Sequence, residues 1–169
     1  MKISVLNKSH QTAIQQLLAD VNFFNADIFF SPEQRFFGFW HQQKLIGVIG
    51  VEIIDNYAIV RSLAVTPKYR GKGLAQLLLQ QADAYLYYAG IKYVYAFTHY
   101  AANYLACYGY TQTLLERVPA EILAHRYTKS VITSEAIVMK KGPSHLKKPP
   151  TQQMNQPTIS QRHPLAFAA

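Results

Sequence analysis

Cysteine is nearly absent from this chain of 169 residues. Cys107 stands alone, which excludes an internal disulfide framework and makes a cytoplasmic protein the expectation. Long apolar runs are absent too: none approaches the roughly 18 residues of a membrane-spanning helix. Met1–Val5 lacks the apolar stretch of a secretory signal, so no membrane partner is expected. The histidines show no metal-ligand spacing and Cys107 has no Cys or His close in sequence, so no metal is expected. Its helical setting is expected to bury the Cys107 thiol, which argues against a nucleophilic role. Acidic residues are few, 9 against 17 Lys and Arg, giving a formal charge of +8. That surplus fits either nucleic acid or an anionic small-molecule site with a basic tail. With no dense Lys/Arg helix and no recognisable nucleic-acid motif, the small-molecule site is the expectation.

What the chain does have is enough apolar content for one domain with a real core. Met1–Leu6 reads as a first strand, and Ile14, Leu17, Leu18 and Val21 recur at helical spacing after Ser9, a candidate N-cap. Phe23, Phe24, Phe29 and Phe30 follow in a linker, as plugs of the core edge or as the wall of a binding pocket. Arg35–His41, Leu45–Ile54 and Tyr57–Val65 read as a meander turning at Gln42-Gln43-Lys44 and Asp55-Asn56. A helix over Gly73–Ala89 has an apolar face of Leu74, Leu77, Leu78, Ala82, Tyr85 and Leu86, and Gly90 ends it. A strand over Lys92–Thr98, a short helix over Ala101–Tyr108 closed by Gly109, and strands near Thr111–Arg117 and Ser134–Lys141 complete the pattern. A helical segment, Pro119–Tyr127, lies between those last two strands. From 143 to 169 the composition turns to Pro, Gln and Ser with three basic residues and no acid. That stretch is expected to be a disordered basic tail after a domain spanning 1–142. No internal repeat is present.

The most telling segment is Val60–Ala75. Its apolar run breaks at Thr66-Pro67 and passes through Arg70-Gly71-Lys72-Gly73. It then opens into the apolar helix at Leu74-Ala75. Strand, basic glycine turn and helix start converge free backbone N–H groups and the positive end of a helix dipole. Glycine at 71 and 73 clears side chains from the backbone, so the turn suits an anion, and a diphosphate best.

Arg70-Gly71-Lys72-Gly73-Leu74-Ala75 also resembles the Arg/Gln-x-x-Gly-x-Gly/Ala signature of the GNAT acyl-CoA N-acyltransferases. The likeness covers 1–142, with Leu63-Ala64-Val65-Thr66-Pro67 ahead and Tyr108-Gly109-Tyr110 closing the later short helix. It implies an α/β (α+β) GNAT fold, a mixed and mostly antiparallel central sheet flanked by helices, with acetyl-CoA as cosubstrate. Val60–Val65, the Thr98…Ala101…Gly109-Tyr110 spacing and the ending Arg117-Val118-Pro119…Thr133–Lys141 resemble one branch more narrowly. That branch holds the acetyltransferase part of N-acetylglutamate synthases and related proteins of arsenic-resistance operons, although its late Cys-Pro is Val131-Ile132 here.

By motif position, the resemblance implies that the backbone of Leu63, Ala64 and Val65 meets the pantetheine arm and polarises the thioester. It implies too that Arg70, Gly71, Lys72, Gly73, Leu74 and Ala75 cradle the pyrophosphate, and that Thr98 lines the slot. Direct transfer needs a base for the amine proton. Glu52, an acid inside the apolar strand Val48–Ile54, is the first candidate, its alternative being an edge position with a solvated carboxylate. Arg61 interrupts the neighbouring strand in the same way. It either clamps an acceptor carboxylate or pairs with Glu52 across the sheet. The family's frequent general-acid tyrosine is Leu105 here, leaving Tyr108, three residues on, as candidate acid or as a pocket-wall aromatic. His99, after the strand end, is a candidate acceptor contact or a plain loop histidine. The implied reaction is acetylation of a small-molecule primary amine, an amino acid or analogue. A protein or peptide acceptor, and a CoA-binding module with little catalysis, are the alternatives, and self-association into a homodimer is left open.

Overall fold

The computed structural model describes residues 2–23, 28 and 30–146. Seven strands form one sheet: β1 (Ile3–Leu6), β2 (Gln34–His41), β3 (Lys44–Ile54), β4 (Tyr57–Val65), β5 (Tyr93–Thr98), β6 (Thr111–Thr113) and β7 (Ile137–Lys141). Their spatial order is β1-β2-β3-β4-β5-β7-β6. Among the described residues only β4 and β5 run parallel. That one parallel pairing needs a crossover, and α2 (Leu74–Tyr88) supplies it. The mixed, mostly antiparallel sheet with flanking helices is the expected architecture. No helix among the described residues is long and apolar enough to cross a membrane.

The meander forms because its strands are apolar nearly throughout, as a sheet covered on both faces requires, and its turns tolerate left-handed backbone. Gln42 and Gln43 sit at φ 45° and 62°, and Asp55 at φ 53°. α2 packs Leu78, Leu79, Ala82 and Leu86 onto Phe37, Ile49, Val51 and Val60 of one sheet face. The opposite face is shared. α1 (Gln11–Asp20) covers Phe36 and Val48 through Ile14, Leu17 and Leu18. α4 (Ala120–Ala124) and α5 (Arg126–Val131) cover Ile59 and Tyr95 through Ile122 and Tyr127. A buried ion pair ties α2 to β7: Lys141 Nζ lies 2.6 Å from Asp83 Oδ2 and 5.1 Å from the Tyr110 ring centroid.

Several local expectations are corrected. Asn7, not Ser9, is the capping residue: its Oδ1 accepts the Ser9 N–H at 3.0 Å and His10 Nδ1 accepts the Asn7 N–H at 3.0 Å. A short 3₁₀ turn, Lys8–His10, therefore precedes α1. Leu77 is 44 % exposed and Leu79 is buried, because the row meeting the sheet runs through 74, 78, 82 and 86 and Leu77 falls to its outer side. The expected strand to Arg117 stops at Thr113, where its pairing with β7 ends at Val138, and Leu115–Arg117 is a 3₁₀ turn. The expected Pro119–Tyr127 helix is two helices broken at His125, whose backbone is extended. α3 (Ala102–Ala106) ends before Cys107, so the thiol is exposed rather than buried. Residues 143–145 form a further 3₁₀ turn that buries Leu146 against the main core. Phe24 and Phe29 of the aromatic linker, and the tail from 147 onward, lie outside the described residues.

Burial of phenols has a measurable consequence. Burial, then the nearby Tyr57 and Tyr93, pushes the Tyr95 hydroxyl up to about 12. Burial, then the Asp83 carboxylate, raises Tyr110, and burial outweighs the lowering effect of Arg61 at Tyr127. The fold holds these groups neutral, so their contribution is whole below the unfolded value of about 10 and is lost as pH rises through the folded values. Tyrosine absorbance titrated with base is expected to show these phenols ionising only in a late step that coincides with loss of circular dichroism. A single smooth phase near pH 10 with the fold intact would contradict this burial.

Candidate functional site

β4 and β5 pair for three residues only, Tyr57–Ile59 with Tyr93–Tyr95. Beyond that point β4 stays on β3 as far as Val65, while β5 stays on β7 as far as Thr98. The two strands therefore part, and the backbone of Val60–Val65 on that side has no ladder to join. A bulge accentuates the parting. Arg61 faces Gly50 and Ala64 faces Val48, so β4 spends one extra residue there, and Ser62 takes φ 53°. The bulge lets Val60 and Val65, five residues apart, share the α2 face.

The glycine turn follows directly. Thr66 N–H binds Ile46 O at 2.9 Å, and Arg70 Nε donates to Val65 O at 2.9 Å, pinning the turn to the strand end. Gly71 and Gly73 lie at φ 73° and 76°, and a Cβ at either would meet nothing within 4 Å. Gly73 is the N-cap of α2 with no side chain to satisfy it, so the first N–H groups of a 15-residue helix are left for a ligand. Lys72 Nζ stands 5.2 Å from the Tyr69 ring centroid, beside this open backbone. Leu63–Val65 thus lead through the short turn Pro67–Tyr69 into Arg70–Ala75, so an open strand edge and an uncapped helix start follow one another at the end of β4.

A polar cluster lies on β3 and β4 where the parting begins. Glu52 is 1 % exposed and Arg61 4 %, so neither occupies a solvated edge. Arg61 Nη1 donates to Glu52 Oε1, and the same oxygen accepts Gln34 Nε2 at 2.9 Å. The Arg61 guanidinium carbon lies 4.1 Å from the Tyr127 ring centroid. Gly50 permits this: a Cβ there would fall 3.2 Å from Arg61 Cγ and 2.6 Å from the Phe36 ring. Glu52 Oε2 takes no aligned hydrogen bond among the described residues but has His125 Nε2 at 3.2 Å. A cleft of about 380 Å³ opens here, lined by Glu52 and Asp55 from the end of β3, Ser31, Glu33 and Gln34 at the start of β2, and His125. Gln34, His125 and Tyr127 were not singled out from sequence. Gln34 could have been found only by counting the β2–β3 register through its bulge, and His125 carries no motif.

The other candidates are spread around the β5 end. Thr98 Oγ1 accepts the N–H groups of Tyr100 at 3.3 Å and Ala101 at 2.9 Å, so it organises the start of α3. His99 Nε2 sits 2.9 Å from Thr133 Oγ1, bridging that loop to the segment before β7. Tyr108 is half-buried and its ring centroid is 5.0 Å from that of Tyr104. Burial first, then the hydrogen bond with Tyr108, holds the Tyr104 hydroxyl well above its ordinary range. Neither His99 nor Tyr108 is among the polar partners of Glu52 given above.

Two outcomes are expected of these residues. Asn and Asp both tolerate left-handed backbone, so Gly73→Asp against Gly73→Asn isolates charge. Calorimetric CoA affinity is expected to be at least tenfold weaker for the Asp variant, about 1.4 kcal/mol, and equal affinities would remove the diphosphate from this turn. Arg61→Ala leaves a buried carboxylate short of its cation and is expected to cost about 3–5 kcal/mol in denaturant unfolding. A cost below about 1 kcal/mol would mean that the pair is effectively solvated.

Comparison with known proteins gives this geometry a context. The family model described as acetyltransferase (GNAT) matches residues 5–112, more than half of the chain. No curated protein matches by sequence at a significant level. Among solved structures, Tetrahymena GCN5 superposes with a TM-score of 0.68 at 15% identity, covering 84% of this chain and 96% of that one. Neisseria gonorrhoeae N-acetylglutamate synthase, complexed with coenzyme A and N-acetyl-glutamate, gives 0.66 at 14% identity over 84% of this chain and 35% of that one. The ribosomal-protein-S18-alanine N-acetyltransferase of Escherichia coli gives 0.61 at 17% identity, covering 83% and 92%. Identities this low speak for a shared fold and no more.

Proposed function

Since the chain belongs to the acetyltransferase (GNAT) family, we propose that it acetylates a small primary amine directly from acetyl-CoA, the acceptor being an amino acid or an analogue. The observation that carries the reading is the parting of β4 and β5. It leaves the Val60–Val65 edge open beside the glycine turn, and an acid-bearing cleft lies where the end of β3 faces the first residues of β4. In this reading the Leu63–Val65 backbone orients the thioester and one of its N–H groups takes up charge developing on the carbonyl oxygen. Arg70–Ala75 hold the diphosphate, and Thr98 bounds the slot from β5. The amine enters by the Glu52 cleft, with Glu52 on the proton-accepting side and Tyr108 as donor to the departing thiolate.

The amino-acid acceptor draws on the narrower likeness to N-acetylglutamate synthases and arsenic-operon acetyltransferases. The gonococcal synthase, with its bound N-acetyl-glutamate, is a consonant neighbour. Arg61 would be the acceptor's carboxylate contact, but Glu52 already engages its Nη1, so an incoming carboxylate would share Arg61 with Glu52. His99 would contribute from the β5 loop.

Thiol release from acetyl-CoA in the presence of L-amino acids and 1,4-diaminobutane tests the proposal. Turnover with at least one of these amines is expected. Turnover confined to peptides would move the acceptor to a protein N-terminus or lysine. CoA binding with no turnover on either set would make the chain a binding module.

A further inference from the structure

We infer that the cleft beside Glu52 holds a second positive charge carried by the acceptor, which singles out, among small primary amines, an extended one whose far end is cationic. The inference rests on the acyl-transfer reading above. It starts from where the chain keeps its few acids. Glu33, Glu52 and Asp55 all line this one cleft, and among the described residues no lysine or arginine lines it. Yet the chain as a whole has 9 acidic residues against 17 Lys and Arg. Glu52 is offset by Arg61, whose Nη1 donates to its Oε1. Asp55 is not offset: it is exposed in the β3–β4 turn, and its carboxylate has no hydrogen bond or ion pair among the described residues. Glu33, exposed as well, precedes β2, and its carbonyl takes the Ile53 N–H at 2.9 Å, which ties the two rims of the cleft together.

A second observation is independent of those exposed charges. Beneath the rim, Glu52 is 1 % exposed and its Oε2 takes no aligned hydrogen bond, and Gln34 Oε1 is buried and also lacks a partner among the described residues. His125 Nε2 lies 3.2 Å from Oε2 without completing a hydrogen bond. Both orphaned atoms are acceptors. They make the wall electronegative in a low-dielectric setting, where a cleft lined by one sign of charge focuses potential on a counter-charge. A cation in the cleft answers that potential without touching either buried atom, because its contacts fall to Asp55 and Glu33 at the rim. Ile53 and Ile54, half-buried in the same lining, suit the methylenes of an alkyl chain.

The strand register sets the length of such an acceptor. Glu52 pairs with Ile59 and Ile54 with Tyr57, so the cleft lies at the first residues of β4. The thioester, in the reading above, lies by Leu63–Val65. From Leu63 back to Ile59 is about 13 Å at the rise of a strand. An extended chain of roughly ten bonds spans that interval and sets its far ammonium in the cleft. A far carboxylate would meet the same acids and be repelled. In the reaction the near amine, as the free base, bonds to the thioester carbonyl carbon and the carbon–sulfur bond breaks. The proton shed by the nitrogen is matched by the one the thiolate takes up to leave as the thiol. The far ammonium stays charged throughout.

The test measures thiol release from acetyl-CoA with three amines that differ only at the far end: 1,8-diaminooctane, 8-aminooctan-1-ol and 8-aminooctanoate. A short pair, 1,4-diaminobutane and 4-aminobutan-1-ol, accompanies them. For the long amines kcat/KM is expected to fall in the order ammonium, hydroxyl, carboxylate, by about tenfold or more from the first to the second. That exceeds the statistical doubling of two equivalent amines, and the short pair is expected to differ less. The advantage of the long diamine is expected to shrink at least threefold as ionic strength rises from about 0.1 to about 1 M and the Debye length falls from about 10 to about 3 Å. Asp55→Asn keeps a residue that tolerates the turn's φ of 53°. Combined with Glu33→Gln, in a protein whose thermal unfolding and CoA affinity match the parent, it is expected to cut the preference about tenfold. Equal kcat/KM for the three long amines in the parent chain, or a preference that survives both substitutions, would overturn the inference and leave acyl transfer in place. Thiol release with none of these amines and with no L-amino acid would overturn both.

Discussion

The separation of β4 from β5 is the constraint on which the rest of this molecule depends. Two parallel strands that begin to pair and then stop leave unspent backbone hydrogen-bonding groups in the middle of a sheet, which a folded protein ordinarily avoids. The chain tolerates the gap because each strand is satisfied on its other side, β4 by β3 and β5 by β7. The bulge at Ser62 makes the departure abrupt and reverses the side-chain alternation beyond it. From that reversal follow the burial of Val65 under α2, the anchoring of Arg70 on the Val65 carbonyl, and the exposed glycines at the helix start.

The same stretch of β4 brings a charge into the core. Arg61 would be costly there alone, and so would Glu52. Together, with Gln34 on one carboxylate oxygen and the Tyr127 ring under the guanidinium, they form a compensated unit whose remaining oxygen faces an imidazole. A second buried pair, Asp83 with Lys141, lies on the α2 side of the sheet. The two differ in access. Asp83 and Lys141 are covered by Tyr110 and the core, whereas the Glu52 cluster reaches a cleft through His125. Placement, more than composition, separates a sealed pair from one that borders a cleft.

Much of the fold was legible because local signals agreed with one another. Tyr57–Val65 is a strand to the residue, since Asp55-Asn56 starts it and Thr66-Pro67 stops it. Gly73 and Gly90 bracket α2 as glycines at helix ends do. The glycine turn was legible for the same reason: its backbone conformation is one that glycine advertises. The polar cluster around Glu52 was not. Its partners come from four separate elements, and the pairing of Gln34 with Glu52 depends on a one-residue slip between Phe39 and Trp40. The register at the turn, His41 with Lys44, carried straight down the hairpin would have set Glu33 opposite Glu52. The slip substitutes an amide donor for a second carboxylate. His125 depended on a helix break that no glycine or proline marks at that position, and Cys107 on the helix ending two residues earlier than its pattern suggested.

The Asp83–Lys141 pair has a bearing on how the gap behaves when no ligand fills it. β5 is zipped to β7 over five residues, and β7 is tied through Lys141 to α2, the helix that packs on β3 and β4. For β5 to swing in and complete its pairing with β4, β7 would have to travel with it and pull a lysine off a carboxylate in a dry interior. The wedge between the strands is therefore braced from behind. A ligand entering there would meet a slot already held at width, and most of the ordering cost of association would fall on the ligand rather than on the protein.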